Sequence, residues 1–229
     1  AYIGKVRDDQ LGNVFRHDIR AAGVAFDSAP ATDGPPTARC LILVTPDAQR
    51  TMNTFLGACV NLGPDDVPED LIAAASITYM EGYLWDRPKA KEAFVRAAKL
   101  AHGAKRRVSL TLSDPFCVDR HRDSFRGLVK DHIDILFANE AEITSLYQVN
   151  DFDQAVRQVG RECEIAVVTR GAEGSVILKD GDMLAVGQPT AGARCYVVVR
   201  GGFAEAPVMG SCATDTLAHV GPAPVAVGD

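Results

Sequence analysis

Apolar segments of four to seven residues alternate with helix-like stretches from about residue 68 onward. The strand-like segments cover residues 77–83, 108–112, 133–138 and 165–168. The clearest helix is predicted over residues 89–102, where Ala90, Phe94, Ala97 and Ala101 share one face. This alternation predicts an α/β domain whose mostly parallel sheet is covered by helices on both faces.

The first 60 residues follow a different pattern. Leu11, Val14, Phe15 and Ile19 recur at helical spacing behind the capping candidates Asp8 and Asp9, which predicts a surface helix packed on a core. Residues 38–45 and 51–56 are rich in apolar and β-forming side chains and are separated by the polar turn 46–49. They predict a β-hairpin, and the proline-rich stretch before it is a loop.

Charge and composition exclude several classes of partner. The chain is 47% hydrophobic and carries a net charge of −6, so it has no basic field to hold nucleic acid or an anionic membrane. No apolar run approaches the roughly 20 residues that a membrane-spanning helix needs. The six cysteines are scattered without a C-x-x-C pair, and the start at Ala1 has no signal-peptide layout. We therefore expect a cytoplasmic fragment with free thiols.

The composition changes at about residue 187. Residues 187–229 contain no lysine and five charged side chains, namely Arg194, Arg200, Glu205, Asp215 and Asp229. Glycine, alanine, proline and valine dominate this stretch, and no helical period persists in it. We expect a tail unrelated to the preceding domain, either translated out of frame or disordered.

Polar residues follow the strand ends, where open parallel sheets place their sites. Asn139 and Glu142 follow the strand 133–138 at a spacing that suits a hydrated Mg²⁺ beside a phosphate. The same pair also fits a helix-capping box, and the residues alone favour that reading. After the strand 165–168, the run Thr169 to Gly174 suits close approach to a nucleotide, or a simple tight turn. Glu81 follows the strand residues 77–80, and its carboxylate suits hydrogen bonding to a polyhydroxy substrate.

Five segments together resemble the ribokinase-like (PfkB) carbohydrate kinases, nearest the bacterial adenosine-kinase-like and sugar-kinase branch. They occur in the order and spacing of that family and read Ala1-Tyr2-Ile3-Gly4-Lys5-Val6 with Asp9 and Gly12, Arg50-Thr51-Met52-Asn53-Thr54, Tyr79-Met80-Glu81-Gly82-Tyr83, Asn139-Glu140-Ala141-Glu142, and Thr169-Arg170-Gly171-Ala172-Glu173-Gly174. Each segment is weak evidence alone, but their agreement is strong. The resemblance covers residues 1–186.

The resemblance implies a ribokinase-like three-layer α/β sandwich, incomplete here, with a small β lid at about residues 24–58. It implies phosphoryl transfer from ATP, with Mg²⁺, to a hydroxyl of a sugar or nucleoside, and a homodimer formed through the lid. Asn139 and Glu142 match the residues that organise Mg²⁺. The nucleotide-binding positions it implies are Asn139, Glu142, Thr169, Arg170, Gly171 and Gly174. The substrate-side positions it implies are Glu81, Asp9, Gly12 and Arg50.

One expected element is missing from the sequence. Such kinases use a loop similar to Asp-Thr-x-Gly-Ala-Gly-Asp, whose amides hold the transferring phosphoryl and whose last aspartate is the base. Asp182, Asp215 and Asp229 all lack that context, so no catalytic residue is assigned. We expect a weakly active or inactive kinase, with a non-catalytic nucleotide-binding or interaction module as the alternative.

Other chemistries have less support. No G-x-G-x-x-G follows a strand, and Gly4-Lys5 is followed by Val6 rather than Ser or Thr, which disfavours a dehydrogenase and a P-loop enzyme. Asp119, His121 and Asp123 alternate among arginines, and we interpret them as a solvated charged face rather than a metal site. The phosphoryl acceptor is not fixed by these residues. Leu41, Leu43 and Phe55 of the hairpin fit either a dimer contact or the chain's own core.

Overall fold

A computed structural model describes residues 1–47, 49–179 and 182–186. The helices in this part of the chain are α1 (Gln10–Ala21), α2 (Glu69–Ala74), α3 (Pro88–Gly103), α4 (Pro115–His132), α5 (Glu140–Tyr147) and α6 (Phe152–Val159). The strands are β1 (Arg39–Val44), β2 (Arg50–Phe55), β3 (Ile77–Glu81), β4 (Arg107–Thr111), β5 (Ile135–Asn139), β6 (Ile165–Thr169), β7 (Ser175–Lys179) and β8 (Asp182–Val186). The tail predicted at residues 187–229 lies outside the described residues.

The central sheet has the strand order β3-β4-β5-β6-β7-β8. β3 to β6 are parallel, and β7 and β8 continue the sheet as an antiparallel hairpin. The predicted α/β class and mostly parallel sheet are confirmed. The predicted strand at 77–83 stops at Glu81 because Gly82–Asp86 forms a 3₁₀ helix. The strand predicted from 133 begins at Ile135, because Ile133 caps α4.

The helices of this α/β unit form a connected layer. α3 contacts β3, β4 and α4, while α4 contacts α5 and α5 contacts α6. Consecutive parallel strands joined by right-handed crossovers place the connecting helices on the same face of a sheet. The strand side chains on this face form the core, and they include Val108, Leu110, Leu136, Ala166 and Val168, all fully buried.

The predicted helix at 89–102 is confirmed as α3, and its alanine-rich face is buried. Small side chains on this face let the helix approach the sheet closely. Trp85 packs between Phe94 of α3 and Phe125 of α4, with ring centroids 5.5 and 5.6 Å apart. Its indole N–H donates to Ser124 Oγ, so the buried polar atom is satisfied.

The opposite face of the sheet is partly open in the described part of the chain. Ile77, Tyr79 and Phe137 point to that face and are 44%, 54% and 38% exposed. The ring of Tyr79 meets that of Phe137 edge-on across the sheet. The second helical layer that the sequence predicts does not cover these three side chains within the described residues.

β1 and β2 form the predicted hairpin as a separate two-stranded antiparallel sheet. Every residue of both strands is exposed. Leu41, Leu43 and Phe55 therefore do not face the chain's own core, which removes one of the two interpretations left open by the sequence.

α1 is present as predicted, and Asp9 is its N-cap. The expectation that it packs on a core through its apolar stripe is wrong, since Leu11 and Val14 are 45% and 51% exposed. Its contacts are local instead. Phe15 meets the buried Phe26 edge-on in a small aromatic cluster that Tyr2 completes.

No helix among the described residues combines the length and the apolar character needed to cross a bilayer.

Candidate functional site

The sequence-predicted polar residues meet at the carboxyl edge of the parallel strands. Asn139 at the end of β5 is paired in register with Thr169 at the end of β6. On the neighbouring pair of strands, Glu81 lies opposite Thr111. Strand ends that are adjacent in one sheet bring side chains from distant parts of the sequence together, which is why open α/β sheets hold ligands there.

Asn139 and Glu142 form a complete capping box at the start of α5. The Glu142 N–H donates to Asn139 Oδ1 at 2.9 Å, and the Asn139 N–H donates to Glu142 Oε2 at 2.9 Å. A third hydrogen bond joins Asn139 Nδ2 to Glu142 Oε1 at 2.8 Å. The capping interpretation is therefore correct as local structure. It also fixes both side chains rigidly at the strand edge.

Glu142 is a buried carboxylate, with 5% of its surface exposed. Burial raises its pKa, the Asn139 N–H opposes that rise, and the negative charge of Asp114 adds to it. Asp114 follows β4 and caps α4 by accepting a hydrogen bond from the Phe116 N–H at 3.0 Å. Because the negative charge of Asp114 raises the cost of ionising Glu142, a cation near both carboxylates would be stabilised.

The ends of β3 and β4 are in close contact. A Cβ on Gly82 would lie 2.5 Å from the Leu112 carbonyl oxygen, so only glycine fits between Glu81 and Tyr83. Ser113 has a left-handed φ of 68°, an uncommon conformation outside glycine, and its hydroxyl donates to Glu81 Oε2 at 3.3 Å. Strained backbone of this kind concentrates at functional sites.

Tyr83 lies directly after the end of β3 and is about half exposed. Burial raises the pKa of its hydroxyl, and the charges of Asp114, Glu142, Glu81 and the Cys40 thiol raise it further. Cys40 belongs to β1 of the hairpin. The sequence analysis quoted Tyr83 and Asp114 in their segments but assigned neither to a site. Their positions directly after β3 and β4 are the signal that could have identified them.

The turn between β6 and β7 carries the second predicted group. Arg170 N–H donates to the Gly174 carbonyl at 2.8 Å and closes the turn. Gly171 and Gly174 have φ values of 55° and 100°, which side chains rarely adopt. The glycines of this segment are thus required by the turn itself. A Cβ on Gly171 would meet no atom within 4 Å, so there is open space beside this glycine that suits a nucleotide.

The structure does not bring Asp9, Gly12 and Arg50 to that edge by any described hydrogen bond. Asp9 accepts hydrogen bonds from the Gly12 N–H at 2.8 Å, from Thr37 Oγ1 at 2.6 Å and from the Thr37 N–H at 2.9 Å. A Cβ on Gly12 would lie 2.0 Å from the Arg7 carbonyl oxygen. Arg50 is exposed beside the turn of the hairpin, opposite Val44. Their assignment to the substrate side stays a prediction.

The charged run in α4 is a set of ion pairs. His121 Nε2 lies 2.7 Å from Asp86 Oδ1, and Asp119 accepts hydrogen bonds from Arg122 and from Ser145 Oγ. Among the described residues, no group of three or more acidic, histidine or cysteine side chains is arranged to hold a metal ion. These contacts agree with a charged surface at this helix.

The family model for "pfkB family carbohydrate kinase" matches residues 1–192. The chain belongs to the pfkB family. This match confirms the family that the five segments resemble, and it extends slightly past the boundary predicted at residue 186.

Solved structures of pfkB-type kinases share the fold. The adenosine kinase from Sinorhizobium meliloti is 49% identical, superimposes with a TM-score of 0.79, and is matched over 86% of this chain and 60% of its own. A probable sugar kinase from Rhizobium etli is 51% identical with a TM-score of 0.78, over 81% of this chain and 57% of its own.

Curated pfkB-type relatives are longer than this chain. The guanosine-inosine kinase of Escherichia coli (strain K12) is 31% identical over 122 residues, which cover 52% of this chain and 28% of that protein. An ATP-dependent ribose-1-phosphate kinase of Halopiger xanaduensis is 29% identical over 182 residues, or 76% of this chain and 54% of that protein. The matched region thus spans between a quarter and three fifths of its relatives.

Proposed function

We propose that this chain binds Mg-ATP and a nucleoside or sugar at the carboxyl edge of β3 to β6, beneath the hairpin lid, and acts as a phosphotransferase on a hydroxyl group. The observation that carries the proposal is the Asn139–Glu142 capping box at the end of β5, which lies in register with Thr169 at the end of β6. Glu81 ends β3 and Asp114 follows β4, so four strand ends contribute polar side chains to one edge of the sheet, where open α/β sheets bind ligands.

The donor atoms there fit Mg²⁺. Asp114 and Glu142 offer carboxylate oxygens, and each oxygen of Glu142 that accepts from Asn139 keeps a second lone pair. Mg²⁺ is bound through one or two carboxylates, several waters and substrate phosphates, and it needs no cage of protein ligands. When bound, it neutralises the charge of the transferring phosphates. Glu142 and Asn139 would hold its water shell.

The nucleotide would lie against the turn after β6. Thr169 offers a hydroxyl at the strand end, and Gly171 and Gly174 let the backbone approach the ligand closely. The net charge of −6 gives no general attraction for phosphate, so local donors and the cation must supply it. This is the role we propose for Thr169, Gly171 and Gly174.

A nucleoside is the acceptor we favour, with a sugar as the second choice. The similarity to an adenosine kinase at 49% identity supports a nucleoside, and the similarity to a probable sugar kinase at 51% supports the wider class. Tyr83 adds an aromatic ring, half exposed between the strand ends and the lid, against which a base could stack. Glu81 would accept hydrogen bonds from ribose hydroxyls.

We propose that turnover by these 229 residues is slow. The sequence contains no Gly-Ala-Gly-Asp loop, and loss of a general base typically reduces the rate by about 10²–10⁴-fold. Loss of anion-binding donors costs about another 10²–10³-fold, although the two effects need not add. The alternative, a nucleotide-binding module without catalysis, uses the same site and differs only in turnover.

Calorimetry and an ADP-release assay distinguish a slow kinase from a nucleotide-binding module without catalysis. We expect Mg-ATP to bind the purified chain, and adenosine to stimulate a small ADP release that Glu142→Ala abolishes. The matched control is Glu92→Ala, which removes an exposed carboxylate of α3 and should change neither result. Binding without ADP release above background would establish the non-catalytic module, and absence of Mg-ATP binding would contradict the proposed site.

We further propose a homodimer that forms through the lid, in a cytoplasmic setting. The apolar side chains of β1 are exposed on both faces of the hairpin, which supports a contact there. Cys40, Cys59, Cys117 and Cys163, the cysteines in the described part of the chain, are all free thiols, as a reducing compartment requires. Residues 1–186 form the kinase-like domain of this proposal, and residues 187–229 a divergent tail.

A further inference from the structure

Arg170 lies between the two strand ends that carry the proposed nucleotide site. It directly follows Thr169, the last residue of β6, and its side chain reaches the first residue of α5, Glu140. Nε donates to Glu140 Oε2 and Nη2 donates to Glu140 Oε1, both at 3.2 Å. This two-pronged geometry is the strongest and most directional form of an arginine–carboxylate pair.

The remaining surfaces of the guanidinium are also occupied. Nη1 lies 3.0 Å from Glu173 Oε2 inside the turn, and the planar group stacks on Phe152, with Cζ 4.2 Å from the ring centroid. The hydrogen bonds that Arg170 donates to Glu140 raise the pKa of its guanidinium. Two carboxylates therefore neutralise this cation and engage each of its three nitrogens. The family resemblance implies a nucleotide-binding position at Arg170, and that assignment stays a prediction.

The contact adds a side-chain link to the main-chain pairing of β5 with β6, which ends at Asn139 and Thr169. The turn after Arg170 contains Gly171 and Gly174, which have no side chain to anchor it. Among the described residues, the Arg170–Glu140 pair is the side-chain link between this turn and α5. Glu140 directly follows Asn139, so the pair fixes the turn relative to the Asn139–Glu142 capping box.

We infer that Arg170 is a positioning residue: by holding the β6–β7 turn against the start of α5, the Arg170–Glu140 pair sets the spacing between the two halves of the Mg-ATP site without touching the nucleotide. This inference rests on the proposed function, because it takes Mg-ATP as the ligand of the site. Arg170 acts through Thr169 on one side and through Asn139 and Glu142 on the other.

A double-mutant cycle on the full chain tests this role. The variants are Arg170→Gln, Glu140→Gln and the double variant, each titrated with Mg-ATP by calorimetry. We expect each single change to weaken binding by roughly tenfold, and the double variant to be no weaker than either, because groups that act as one pair are strongly coupled. The exchanged pair Arg170→Glu with Glu140→Arg should recover part of the loss.

Arg126 provides a matched control. Its guanidinium stacks over Tyr147 with Cζ 4.8 Å from the ring centroid, and Nη2 donates to Glu162 at 3.0 Å. Arg126→Gln thus removes a comparable stacked ion pair that lies away from the strand ends. We expect it to lower the melting temperature about as much as Arg170→Gln while leaving the affinity for Mg-ATP unchanged.

A direct phosphate contact gives the opposite pattern. If Arg170 binds the nucleotide itself, Glu140→Gln frees the charge of Arg170 for the phosphates, so the affinity for Mg-ATP stays constant or rises. In that case Arg170→Gln alone weakens the affinity. That result would overturn the inference. Equal losses of affinity in Arg126→Gln and Arg170→Gln would do so too, because they would mark a general effect on stability.

Hydrogen exchange distinguishes failure of this inference from failure of the proposed function. The Glu142 amide donates to Asn139 Oδ1, and the Gly174 amide donates to the Gly171 carbonyl. If the wild-type chain binds no Mg-ATP, the proposed function is wrong. The exchange rates of these two amides then test the positioning role of Arg170 independently. Faster exchange at both amides in Arg170→Gln and Glu140→Gln, but not in Arg126→Gln, supports the positioning role. Unchanged exchange contradicts it.

Discussion

Glu142 shows how one side chain combines a local and a distant role. Its carboxylate completes a helix cap that four adjacent residues can form alone, and its pKa is also raised by the charge of Asp114, which comes from another strand end. The first role is visible in the sequence as an Asn-x-x-Glu spacing. The second depends on β4 and β5 being neighbours in the sheet.

The raised pKa of Glu142 leads to a prediction about stability. Because burial places the folded-state pKa above the ordinary value of 4.5, the ionised group costs stability at neutral pH. That cost disappears as the pH falls through the folded-state pKa toward 4.5. We therefore expect the wild-type free energy of unfolding to rise relative to Glu142→Gln as the pH falls from neutral through the folded-state pKa to 4.5, as measured by urea denaturation.

The control for this experiment is Glu92→Gln, which changes an exposed carboxylate of α3. Its difference from the wild type should not depend on pH in the same range. A wild-type advantage over Glu142→Gln that grows with rising pH would contradict the direction of the pKa shift.

Alanine substitutions at two glycines are expected to change stability in opposite directions. An alanine at position 82 would place its Cβ 2.5 Å from the Leu112 carbonyl and 2.7 Å from the Thr111 carbonyl, and backbone atoms cannot move away cheaply. We expect Gly82→Ala to destabilise the fold by about 1–3 kcal/mol. Gly127 in α4 has open space around it, so Gly127→Ala should stabilise by about 0.5–1 kcal/mol. Chemical denaturation measures both, and a neutral Gly82→Ala would show that the strand ends are not in close contact.

At the scale of elements, α1 illustrates a helix held by its cap rather than by its apolar face. Asp9 joins the first turn of the helix to Thr37, a residue that precedes the hairpin, whereas Asp151 caps α6 through the Gln154 N–H alone. The two helices have similar N-cap sequences. They differ in whether the cap also connects distant segments.

This difference predicts the outcome of removing each cap. Asp151→Ala should cost about 0.5–2 kcal/mol, as for an ordinary N-cap. Asp9→Ala should cost more, because it also releases both hydrogen bonds from Thr37. Those hydrogen bonds hold the pKa of Asp9 below its usual 3.8, so its contribution is complete above that pH and is lost as the pH falls through the lower folded-state pKa. Denaturation of both variants at pH 7 and pH 2.5 measures these losses of stability. Equal losses for Asp9→Ala and Asp151→Ala at pH 7 would contradict the linking role of Asp9.

The elements also show what the sequence can predict. The hairpin, α3 and the parallel strands follow from apolar periodicity and turn residues, so their boundaries are correct to within about two residues. The burial of α1 was predicted wrongly. An apolar stripe indicates a helix, but it does not tell whether another element covers that stripe.

At the scale of the whole molecule, the lid has two distinct faces. Alternation along β1 places Cys40 and Ile42 on one face of the hairpin and Leu41 and Leu43 on the other. Leu41 and Leu43 are 67% and 64% exposed, and their face offers apolar area to a second copy of the chain.

We expect the wild-type chain to sediment as a dimer and Leu41→Lys with Leu43→Lys to sediment as a monomer. The control is Leu11→Lys with Val14→Lys, which places the same charges on the exposed stripe of α1. Analytical ultracentrifugation across a range of concentrations measures the equilibrium. A wild-type monomer, or a dimer that survives the lid substitutions, would contradict the proposed contact.

The sequence by itself determined the α/β class, the hairpin and the family, because apolar spacing and short motifs act over a few residues. It also placed Asn139, Glu142 and the run from Thr169 to Gly174 at strand ends. The tertiary structure alone decided which of these residues meet. The sheet order places Asn139 opposite Thr169, and it brings Asp114 near enough to Glu142 for its charge to raise the pKa of that carboxyl. Arg170 binds Glu140 across the register of β5 and β6. Such contacts depend on strand order and chain path, which local patterns in a sequence do not record.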